Sequence, residues 1–390
     1  MRDFDIIVYG ATGFTGRLVA EYLVTAYPDT GGKRPRWAMA GRSLSKLEEV
    51  RDLIGAPADT PLVAANADDP ASLRNLCARA AVVITTVGPY QLYGSDLVAA
   101  CAETGTAYVD LCGEPAWMRQ MIDAHEAKAK ETGARIVFSC GFDSIPFDLG
   151  VLTLQEAAKA KFGRPCPRVK GRVRHMKGGF SGGTAASLKA TLAAAARNPM
   201  LLGLLTNPFA LTPGFTGPGQ PMGMLPEYDK TIEAWVAPFI MAPINTKNVH
   251  RTNFLLGQAF GADFVYDEMM VAGLGEMGKA AAEMIAKINP LAGDKGPKPG
   301  EGPSLEERES GSYDLLFIGE MPDGERIDVV VTGDRDPGYG STSKMIAQAA
   351  LCLVHDVPGA AGGIWTPGAI MGDALRARLI EHAGLTFTAG

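Results

Sequence analysis

Three glycines near the start of the chain, Gly10, Gly13 and Gly16, have the spacing of a phosphate-binding turn. Gly10 permits a tight turn, Gly13 lets the backbone approach a pyrophosphate, and Gly16 lets a helix pack closely on the preceding strand. A helix N-terminus then offers free N–H groups and a partial positive charge to the anion. The pattern G-x-x-G-x-x-G is a variant of the usual G-x-G-x-x-G, and it predicts a dinucleotide site rather than an ordinary strand–helix turn. The predicted contacts are Gly10, Ala11, Thr12, Gly13, Phe14, Thr15 and Gly16.

The end of the second predicted strand, 36–40, indicates which dinucleotide binds. It leads into Gly41-Arg42-Ser43, where an NAD site usually has an acidic residue for the ribose 2′-hydroxyl. No acidic residue stands there, whereas Arg42 can pair with a 2′-phosphate and Ser43 can donate a hydrogen bond to it. These residues therefore predict NADP(H). The alternative is that Arg42 is simply solvated and that Ser43 caps the next helix.

Later strand ends supply the other candidate cofactor contacts. Asp68, after a strand at 61–65, could contact the adenine or cap the next helix. Ligands of open parallel sheets lie outside the carboxyl ends of the strands, so the ends of strands 81–87 and 135–140 are expected near the nicotinamide. The residues there are Val87, Gly88, Pro89 and Tyr90, and Gly141, Phe142 and Asp143. Tyr90 could donate a proton or only form a stacking wall.

These candidates need a doubly wound α/β scaffold to position them. Six apolar runs separated by helical patterns predict a Rossmann domain over residues 1–147 with a parallel sheet. An amphipathic helix predicted over 342–355 is expected to return to this domain, which would make it discontinuous, with 342–390 as its second part. Residues 148–341 predict a second, α+β domain on a mostly antiparallel sheet, because 169–177 alternates and 312–319 and 326–333 form a hairpin pattern.

Two segments of the predicted second domain have unusual composition. Residues 198–226 contain no charged residue but six prolines and five glycines, and 231–246 has only Glu233 charged. This apolar insert, 198–246, could be buried loop packing, a wall for an apolar substrate, a dimer surface or a membrane-contacting face. Residues 290–311 are rich in proline, glycine and charge, which predicts a mobile surface loop.

A second glycine-rich motif at 179–183 fits G-x-S-x-G, the nucleophile turn of α/β-hydrolases. His250, His355 and His382 follow it in the chain, but the first 145 residues already predict a different fold. We therefore favour a helix start whose N–H groups and hydroxyls either bind a substrate oxygen or cap the helix. Its residues are Ser181, Gly182, Gly183 and Thr184.

Bulk properties narrow the class of protein. A net charge of −6 and a pI near 5.5 argue against nucleic-acid binding. Six cysteines without a C-x-x-C pair predict reduced thiols, and the chain begins directly in a strand, so we expect a cytoplasmic protein. The five histidines have no metal-ligand spacing, so no metal site is expected.

In sequence, the chain resembles the saccharopine dehydrogenase-like oxidoreductases, and most of all their bacterial branch of trans-acting enoyl reductases. The resembling segments span nearly the whole chain in order: 9–16, 40–43, 87–90, 110–114, 140–146, 181–184, 338–339 and 362–367. The resemblance implies an NADP-binding Rossmann domain, a second α+β domain, and reduction of a C=C bond on acyl chains made by a partner synthase. It supplies no catalytic triad.

The primary hypothesis is an NADPH-dependent reductase of an apolar acyl substrate, with Tyr90, Lys177 or Tyr339 as the proton donor. A C–N oxidoreductase acting on an amino-acid adduct is the alternative; it would need cations such as Arg172, Arg174, His175 and Lys177 for substrate carboxylates. A third hypothesis is a non-catalytic NADP(H)-binding protein associated with lipid. The expected partners are an acyl-carrier or synthase protein, with a homodimer and peripheral membrane contact also open.

Overall fold

The computed structural model describes residues 2–28, 34–178, 197–288 and 301–390, together with residues 187, 190, 191 and 193. Its strands are β1 Phe4–Tyr9, β2 Trp37–Gly41, β3 Leu62–Ala64, β4 Ala80–Thr85, β5 Ala107–Val109, β6 Arg135–Val137, β7 Arg168–Lys177, β8 Glu227–Asp229, β9 Ala234–Pro238, β10 Val265–Gly273, β11 Ser312–Glu320, β12 Arg326–Gly333, β13 Gly363–Trp365 and β14 Leu385–Ala389.

The described helices are α1 Phe14–Ala26, α2 Leu44–Leu53, α3 Pro70–Arg79, α4 Tyr90–Tyr93, α5 Ser95–Thr104, α6 Pro115–Thr132, α7 Ile145–Phe162, α8 Pro199–Thr206, α9 Ala242–Leu255, α10 Gly275–Ala286, α11 Leu305–Glu309, α12 Thr342–His355, α13 Pro367–Ile370 and α14 Gly372–His382. A single π-helical turn, Pro337–Ser341, leads into α12.

The first sheet has seven parallel strands in the order β13-β6-β5-β4-β1-β2-β3. Its central strands are apolar on both faces, and Ile6, Ile7 and Val8 of β1 are fully buried. Such continuous burial is typical of a parallel sheet covered by helices on both sides. The predicted doubly wound α/β fold is therefore confirmed.

The second sheet also has seven strands, in the order β14-β12-β11-β7-β10-β9-β8. β7 and β10 pair in parallel, and the other neighbours pair antiparallel. The mostly antiparallel second sheet is therefore confirmed, and the hairpin β11–β12 has nearly the predicted bounds. Helix α7 packs against β11 and β12.

The C-terminal segment contributes to both sheets. Helix α12 packs against α1, β4 and β5, and β13 extends the first sheet by pairing with β6. The last strand, β14, instead pairs with β12 in the second sheet. The segment 342–390, which the sequence assigns to the Rossmann domain, thus ends in the other sheet, while the domain boundaries themselves stay a prediction.

The segment 290–311, for which the sequence predicts a mobile loop, is described only from residue 301 onward. That part contains helix α11, which begins with a capping box in which Ser304 and Glu307 bond each other's backbone N–H groups. A Cβ atom built at Gly302 would lie 2.4 Å from the Phe14 ring. Residues 301–311 are therefore partly helical and pack against the start of α1.

Candidate functional site

The turn between β1 and α1 is packed so tightly that side chains are excluded at two of its glycines. Gly10 has φ +88°, and a Cβ there would lie 2.7 Å from Val87 Cγ2. A Cβ at Gly16 would lie only 2.2 Å from the Gly10 carbonyl oxygen. The Gly13 N–H donates to that same oxygen at 2.9 Å. This is the close strand–helix packing that a dinucleotide turn requires.

The N-terminus of α1 has features that suit an anion. Its N-cap residue is Gly13, no side chain caps the first turn, and that turn carries no acidic residue. Thr12 and Gly13 are exposed while Ala11 is buried, so the turn presents backbone to the outside at this point. The uncapped N–H groups and the helix dipole therefore favour a phosphate here.

Arg42 lies exposed at the end of β2, beside the glycine turn in the same sheet edge. Ser43 is the N-cap of α2, and its Oγ accepts a hydrogen bond from the Lys46 N–H at 3.3 Å. The helix-cap interpretation of Ser43 thus has structural support, and the Ser43 hydroxyl also shares a hydrogen bond of 2.9 Å with Ser45 Oγ. Arg42 keeps its guanidinium available for a 2′-phosphate.

The two carboxylates after β3 have separate positions. Asp69 is the N-cap of α3 and accepts hydrogen bonds from the N–H groups of Ala71 and Ser72. Asp68, which the sequence offers for either role, is exposed and does not cap the helix. An adenine contact by Asp68 remains a prediction.

Replacing Arg42 by alanine is expected to weaken NADPH binding about 10- to 100-fold, because a hydrogen-bonded charged partner is worth roughly 1.5–3 kcal/mol. NADH binding should change little, since NADH has no 2′-phosphate. Calorimetric titration of both dinucleotides measures the effect, with Arg74→Ala on α3 as a control that removes another exposed arginine. Equal losses for NADPH and NADH would contradict the assignment of Arg42.

The turns that follow β4, β5 and β6 are tied together by two carboxylates. Asp110 Oδ1 accepts the N–H groups of Cys112 at 3.0 Å and Ser139 at 2.8 Å. Glu114 accepts the N–H groups of Tyr90 and Gln91, each at 2.9 Å. These bonds gather the three turns at the carboxyl edge of the first sheet, where the nicotinamide is expected.

Tyr90 points into the protein rather than toward this edge. Its hydroxyl donates to the Thr85 carbonyl at 3.3 Å and accepts the Leu111 N–H at 3.1 Å, and only 5% of the residue is exposed. Burial raises its pKa well above the usual value. This geometry contradicts the proton-donor hypothesis for Tyr90 and favours a role in holding two turns together.

Val87, Gly88 and Pro89 do lie at the predicted edge. The Val87 N–H bonds Thr85 Oγ1, and a Cβ at Gly88 would lie 3.7 Å from Ser187 Oγ. Thr191, one turn further along, accepts a hydrogen bond from the Gln91 side chain at 3.2 Å. Ser187 and Thr191 therefore lie against the segment that follows β4.

Gly141, Phe142 and Asp143 lie at the end of β6, and the first two are buried. The Phe142 N–H donates to Thr342 Oγ1 at 2.9 Å, which joins this turn to the start of α12. Asp143 is half-buried, and burial raises the pKa of its carboxyl to about 7. A carboxyl whose pKa lies near neutrality at the carboxyl edge of such a sheet is a candidate for proton transfer.

The other two predicted proton donors lie elsewhere. Lys177 is exposed at the end of β7, and its Nζ donates to Ser310 Oγ at 3.1 Å. Tyr339 is 4% exposed, and its ring meets the Phe14 ring edge-on with centroids 5.2 Å apart. Tyr339 therefore supports the start of α1, the predicted phosphate-binding helix.

The predicted substrate-binding residues Ser181, Gly182, Gly183 and Thr184 lie outside the described residues. The described residues on either side of them have clear neighbours. A Cβ at Gly178 would lie 2.7 Å from Pro337, and a Cβ at Gly88 would lie 3.7 Å from Ser187 Oγ.

Of the four cations required by the C–N oxidoreductase hypothesis, three have partners within the second sheet, and Lys177 bonds Ser310 just before β11. Arg172 is 1% exposed and bonds Asp229 at 2.7 Å and Asp267 at 2.8 Å. Arg174 pairs with Asp314, while His175 and Lys177 bond serine hydroxyls. The structure thus gives these residues roles in sheet packing and does not assemble them into a carboxylate site.

Sequence reasoning missed a helix with a buried polar face. Seven side chains of α9 are polar and almost fully buried: Asn245, Lys247, Asn248, His250, Arg251, Thr252 and Asn253. Among the residues that the structure describes, six buried side-chain atoms lack a hydrogen-bond partner, and four of these belong to α9. The signal in the sequence that could have indicated this buried polar face is the run of polar residues in α9, which directly follows an apolar segment. Buried unpaired polar groups are rare in proteins and indicate a functional or water-filled site.

His250 is buried between Phe209 and Phe264, with ring centroids 4.7 and 5.8 Å away. Burial, with the nearby charge of Lys247, lowers its pKa to about 3. The unfolded chain then binds a proton that the folded protein does not, so stability is lost as the pH falls below about 6.5.

We therefore expect His250→Phe to flatten the acid side of the stability profile. Between pH 7.5 and 5, the wild type should lose about 2 kcal/mol more of unfolding free energy than the variant. Urea unfolding at both pH values measures this difference, with the exposed His355→Gln as control. Parallel losses in wild type and His250→Phe would contradict the lowered pKa.

The apolar insert divides into a buried and an exposed part. Phe209, Ala210 and Leu211 are buried, and the Leu211 carbonyl accepts a hydrogen bond from Arg251. Met222, Met224 and Leu225 are exposed.

A cavity of about 40 Å³ lies between α8, α6 and the turn after β4. Ligand sites usually measure roughly 300–1,000 Å³, so this cavity holds a water molecule or two and no acyl chain.

For the described part of the chain, the structure shows the state of the cysteines, the potential metal ligands and the apolarity of the helices. The six cysteines are all buried and free. No group of histidine, cysteine or acidic side chains there is arranged to hold a metal. None of the described helices is both long and apolar enough to span a bilayer.

Comparison with known proteins gives the class of the molecule. The model of the saccharopine dehydrogenase NADP-binding domain matches residues 6–137. Apo saccharopine dehydrogenase (L-Glu forming) from Saccharomyces cerevisiae has a TM-score of 0.54 at 12% identity and covers 99% of both chains, which establishes the shared fold. With the glycine turn and Arg42 suited to the cofactor, the protein is an NADP(H)-binding oxidoreductase.

Full-length relatives narrow this class. A trans-acting enoyl reductase of Mycobacterium bovis is 38% identical, covering 97% of this chain and 96% of the relative. A Mycobacterium tuberculosis protein that carries this name provisionally is 41% identical, with the same coverage. The chain belongs to the family of trans-acting enoyl reductases.

Proposed function

We propose that the protein uses NADPH to reduce the C=C bond of an enoyl or polyketide-type acyl substrate. The observation that carries this proposal is the 38–41% identity to trans-acting enoyl reductases over 97% of the chain. When bound, NADPH would supply the hydride. The remaining task of the protein is to orient the acyl group, stabilise the developing enolate oxygen and deliver a proton.

The residues proposed to hold the cofactor follow the edge of the first sheet. The uncapped start of α1 would bind the pyrophosphate, and Arg42 with Ser43 would bind the 2′-phosphate. Asp68 would contact the adenine. The turns at 87–90 and 141–143 would border the nicotinamide, with Tyr90 acting through its position rather than its proton.

The proposed substrate site adjoins those turns. The N–H groups and hydroxyls of Ser181 to Thr184 would donate to the acyl carbonyl oxygen. The supporting observation is that Ser187, three residues beyond Thr184, lies near Gly88 in the turn after β4. The acyl chain would extend toward Leu201 and Leu205 of α8, which line the small cavity. Since that cavity is too small for a chain, α8 would have to move aside when substrate binds.

The partner is proposed from the word "trans-acting" in the names of the relatives. An enzyme of this type would receive its acyl chain from a separate synthase or acyl-carrier protein. A homodimer is proposed only as a further option.

A turnover assay tests the proposal. The protein is mixed with NADPH and enoyl thioesters of increasing chain length, NADPH oxidation is followed by absorbance, and the saturated product is identified by mass spectrometry. Matched ketone and imine substrates distinguish C=C reduction from C=O or C=N reduction. NADPH binding without oxidation by any enoyl thioester would contradict the proposal.

One observation favours a second candidate, a lipid-associated NADP(H)-binding protein. Met222, Met224 and Leu225 are 82%, 62% and 76% exposed within four residues of chain, a concentration of apolar surface that suits a lipid interface. Liposome flotation alongside the turnover assay separates the two. Flotation without turnover would favour this candidate, and the reverse would favour the reductase.

A further inference from the structure

The half-buried carboxyl of Asp143 lies where turns of the first sheet meet the second sheet. A Cβ built at Gly113, in the turn after β5, would lie 3.9 Å from Asp143 Oδ2. From the second sheet, Glu268 of β10 is close enough for the charge of Asp143 to raise its pKa further. Asp143 thus lies between the turn after β5 and strand β10, at the edge of the first sheet where the nicotinamide is expected.

This carboxyl differs from the other buried carboxylates nearby. Asp110 and Asp148 each accept at least two hydrogen bonds from the protein. Burial raises the pKa of all three carboxyls to about 7, but Asp143 accepts no hydrogen bond from any residue that the structure describes. Its side chain is therefore available to a bound molecule.

The groups that face Asp143 add no positive charge. Cys112, from the turn after β5, is a thiol whose pKa burial and nearby carboxylates raise, so it is neutral at pH 7. Burial also raises the pKa of Glu268 well above its usual value, although Asn245 and Tyr266 donate hydrogen bonds to it. Thr342 and Asn248, from α12 and α9, bond the residues on either side of Asp143 and are uncharged.

Two carboxamides beside this carboxyl have unmet hydrogen-bonding capacity. Asn245 donates to Glu268 at 2.9 Å and Asn248 donates to Ser144 Oγ at 2.8 Å, and both side chains are fully buried. Their Oδ1 atoms have no partner among the described residues. A buried amide oxygen without a hydrogen-bond donor is unfavourable, so a bound molecule that donates hydrogen bonds would be stabilised here.

We propose that Asp143 is the proton donor of the reduction, in a polar pocket where Asn245 and Asn248 accept hydrogen bonds from N–H or O–H groups beside the acyl thioester. This assignment rests on the proposed enoyl reduction. The C=C π bond breaks as a hydride from NADPH, the reductant, adds to the β-carbon. The electron pair at the α-carbon takes the proton of the Asp143 carboxyl as its O–H bond breaks, and the carboxylate regains a proton from water.

The three donors expected from the sequence are less suitable. The Tyr90 hydroxyl is bonded on both sides within the fold, Lys177 is exposed beside Ser310, and Tyr339 packs on Phe14 at the other end of the cofactor turn. Asp143 combines a position at the nicotinamide edge with a carboxyl that the fold leaves unbonded.

The test compares Asp143→Asn, which keeps the shape of the side chain, with Asp143→Glu, which restores a carboxyl. NADPH affinity and thermal unfolding of both variants are measured first, so that a loss of turnover can be separated from a loss of cofactor binding or of the fold. Loss of a general acid should lower kcat about 10²- to 10⁴-fold in Asp143→Asn, with partial recovery in Asp143→Glu. Wild-type kcat should fall as the pH rises through about 7, and Asp143→Asn should lack this dependence.

A second readout does not depend on turnover. Infrared difference spectra of the ligand-free protein should contain a carboxyl band that titrates near pH 7 and disappears in Asp143→Asn, also when that variant turns over nothing. Wild-type kcat or an unchanged pH profile in Asp143→Asn would overturn the assignment, as would an unchanged carboxyl titration. Absence of enoyl reduction by the wild type would instead overturn the proposed function.

Discussion

Replacing Gly16 by alanine is expected to weaken NADPH binding about 100-fold, or roughly 3 kcal/mol. The added methyl group would lie 2.2 Å from the Gly10 carbonyl oxygen and 2.7 Å from the Gly10 carbonyl carbon, both backbone atoms. Backbone cannot rotate away as a side chain can, so α1 must move off β1. That movement displaces the N–H groups that are proposed to bind the pyrophosphate.

Calorimetric titration with NADPH measures this effect, and circular dichroism verifies that the variant is folded. Gly359→Ala is the matched control, because a Cβ at Gly359 meets no atom within 4 Å. A folded Gly16→Ala protein that binds NADPH as tightly as the wild type would refute the assignment of the β1–α1 turn as the cofactor site.

Arg172→Ala is expected to have the largest effect on stability, a loss of about 3–5 kcal/mol in the free energy of unfolding. The substitution removes the guanidinium but leaves the carboxylates of Asp229 and Asp267 buried in the second sheet. Arg174→Ala provides the comparison on the same strand. Its partner Asp314 is about one-third exposed, so this loss should stay below about 1 kcal/mol.

The pH dependence of this difference has a defined sign. Although burial alone would raise it, the Arg172 guanidinium holds the pKa of Asp229 below its usual value of 3.8. A lowered carboxyl pKa stabilises the fold above the unfolded pKa, and the contribution disappears as the pH falls. The gap between wild type and Arg172→Ala in urea unfolding should therefore narrow below about pH 4, and a constant gap would contradict the ion-pair explanation.

Local patterns were sufficient for the parts of the fold with strong periodicity. The β1–α1 unit, the β11–β12 hairpin and helix α12 occur within two residues of the bounds expected from alternation or helical spacing. Arg42 could also be found from sequence, because a strand end followed by a helix places it at the sheet edge without reference to distant residues.

Structural features that depend on residues distant in the chain could not be predicted from local sequence patterns. Strands β5 and β6 end three residues earlier than their apolar runs suggest. The N–H groups of Cys112 and Ser139 donate to the Asp110 carboxylate and therefore do not pair with a neighbouring strand. Strand β13 has only three residues and forms by pairing with β6, more than 200 residues earlier in the chain. The inward orientation of Tyr90 likewise depends on the Leu111 N–H.

The position of the last two strands has a consequence for biosynthesis. β13 and β14 each form an outer edge, one in each sheet, and both are synthesised after the strands with which they pair. Until they emerge from the ribosome, β6 and β12 each present an unpaired edge to solvent, and such edges recruit other chains. We therefore expect nascent chains of this protein to depend on chaperones, and truncation at a late stop codon to produce aggregates rather than a smaller active enzyme.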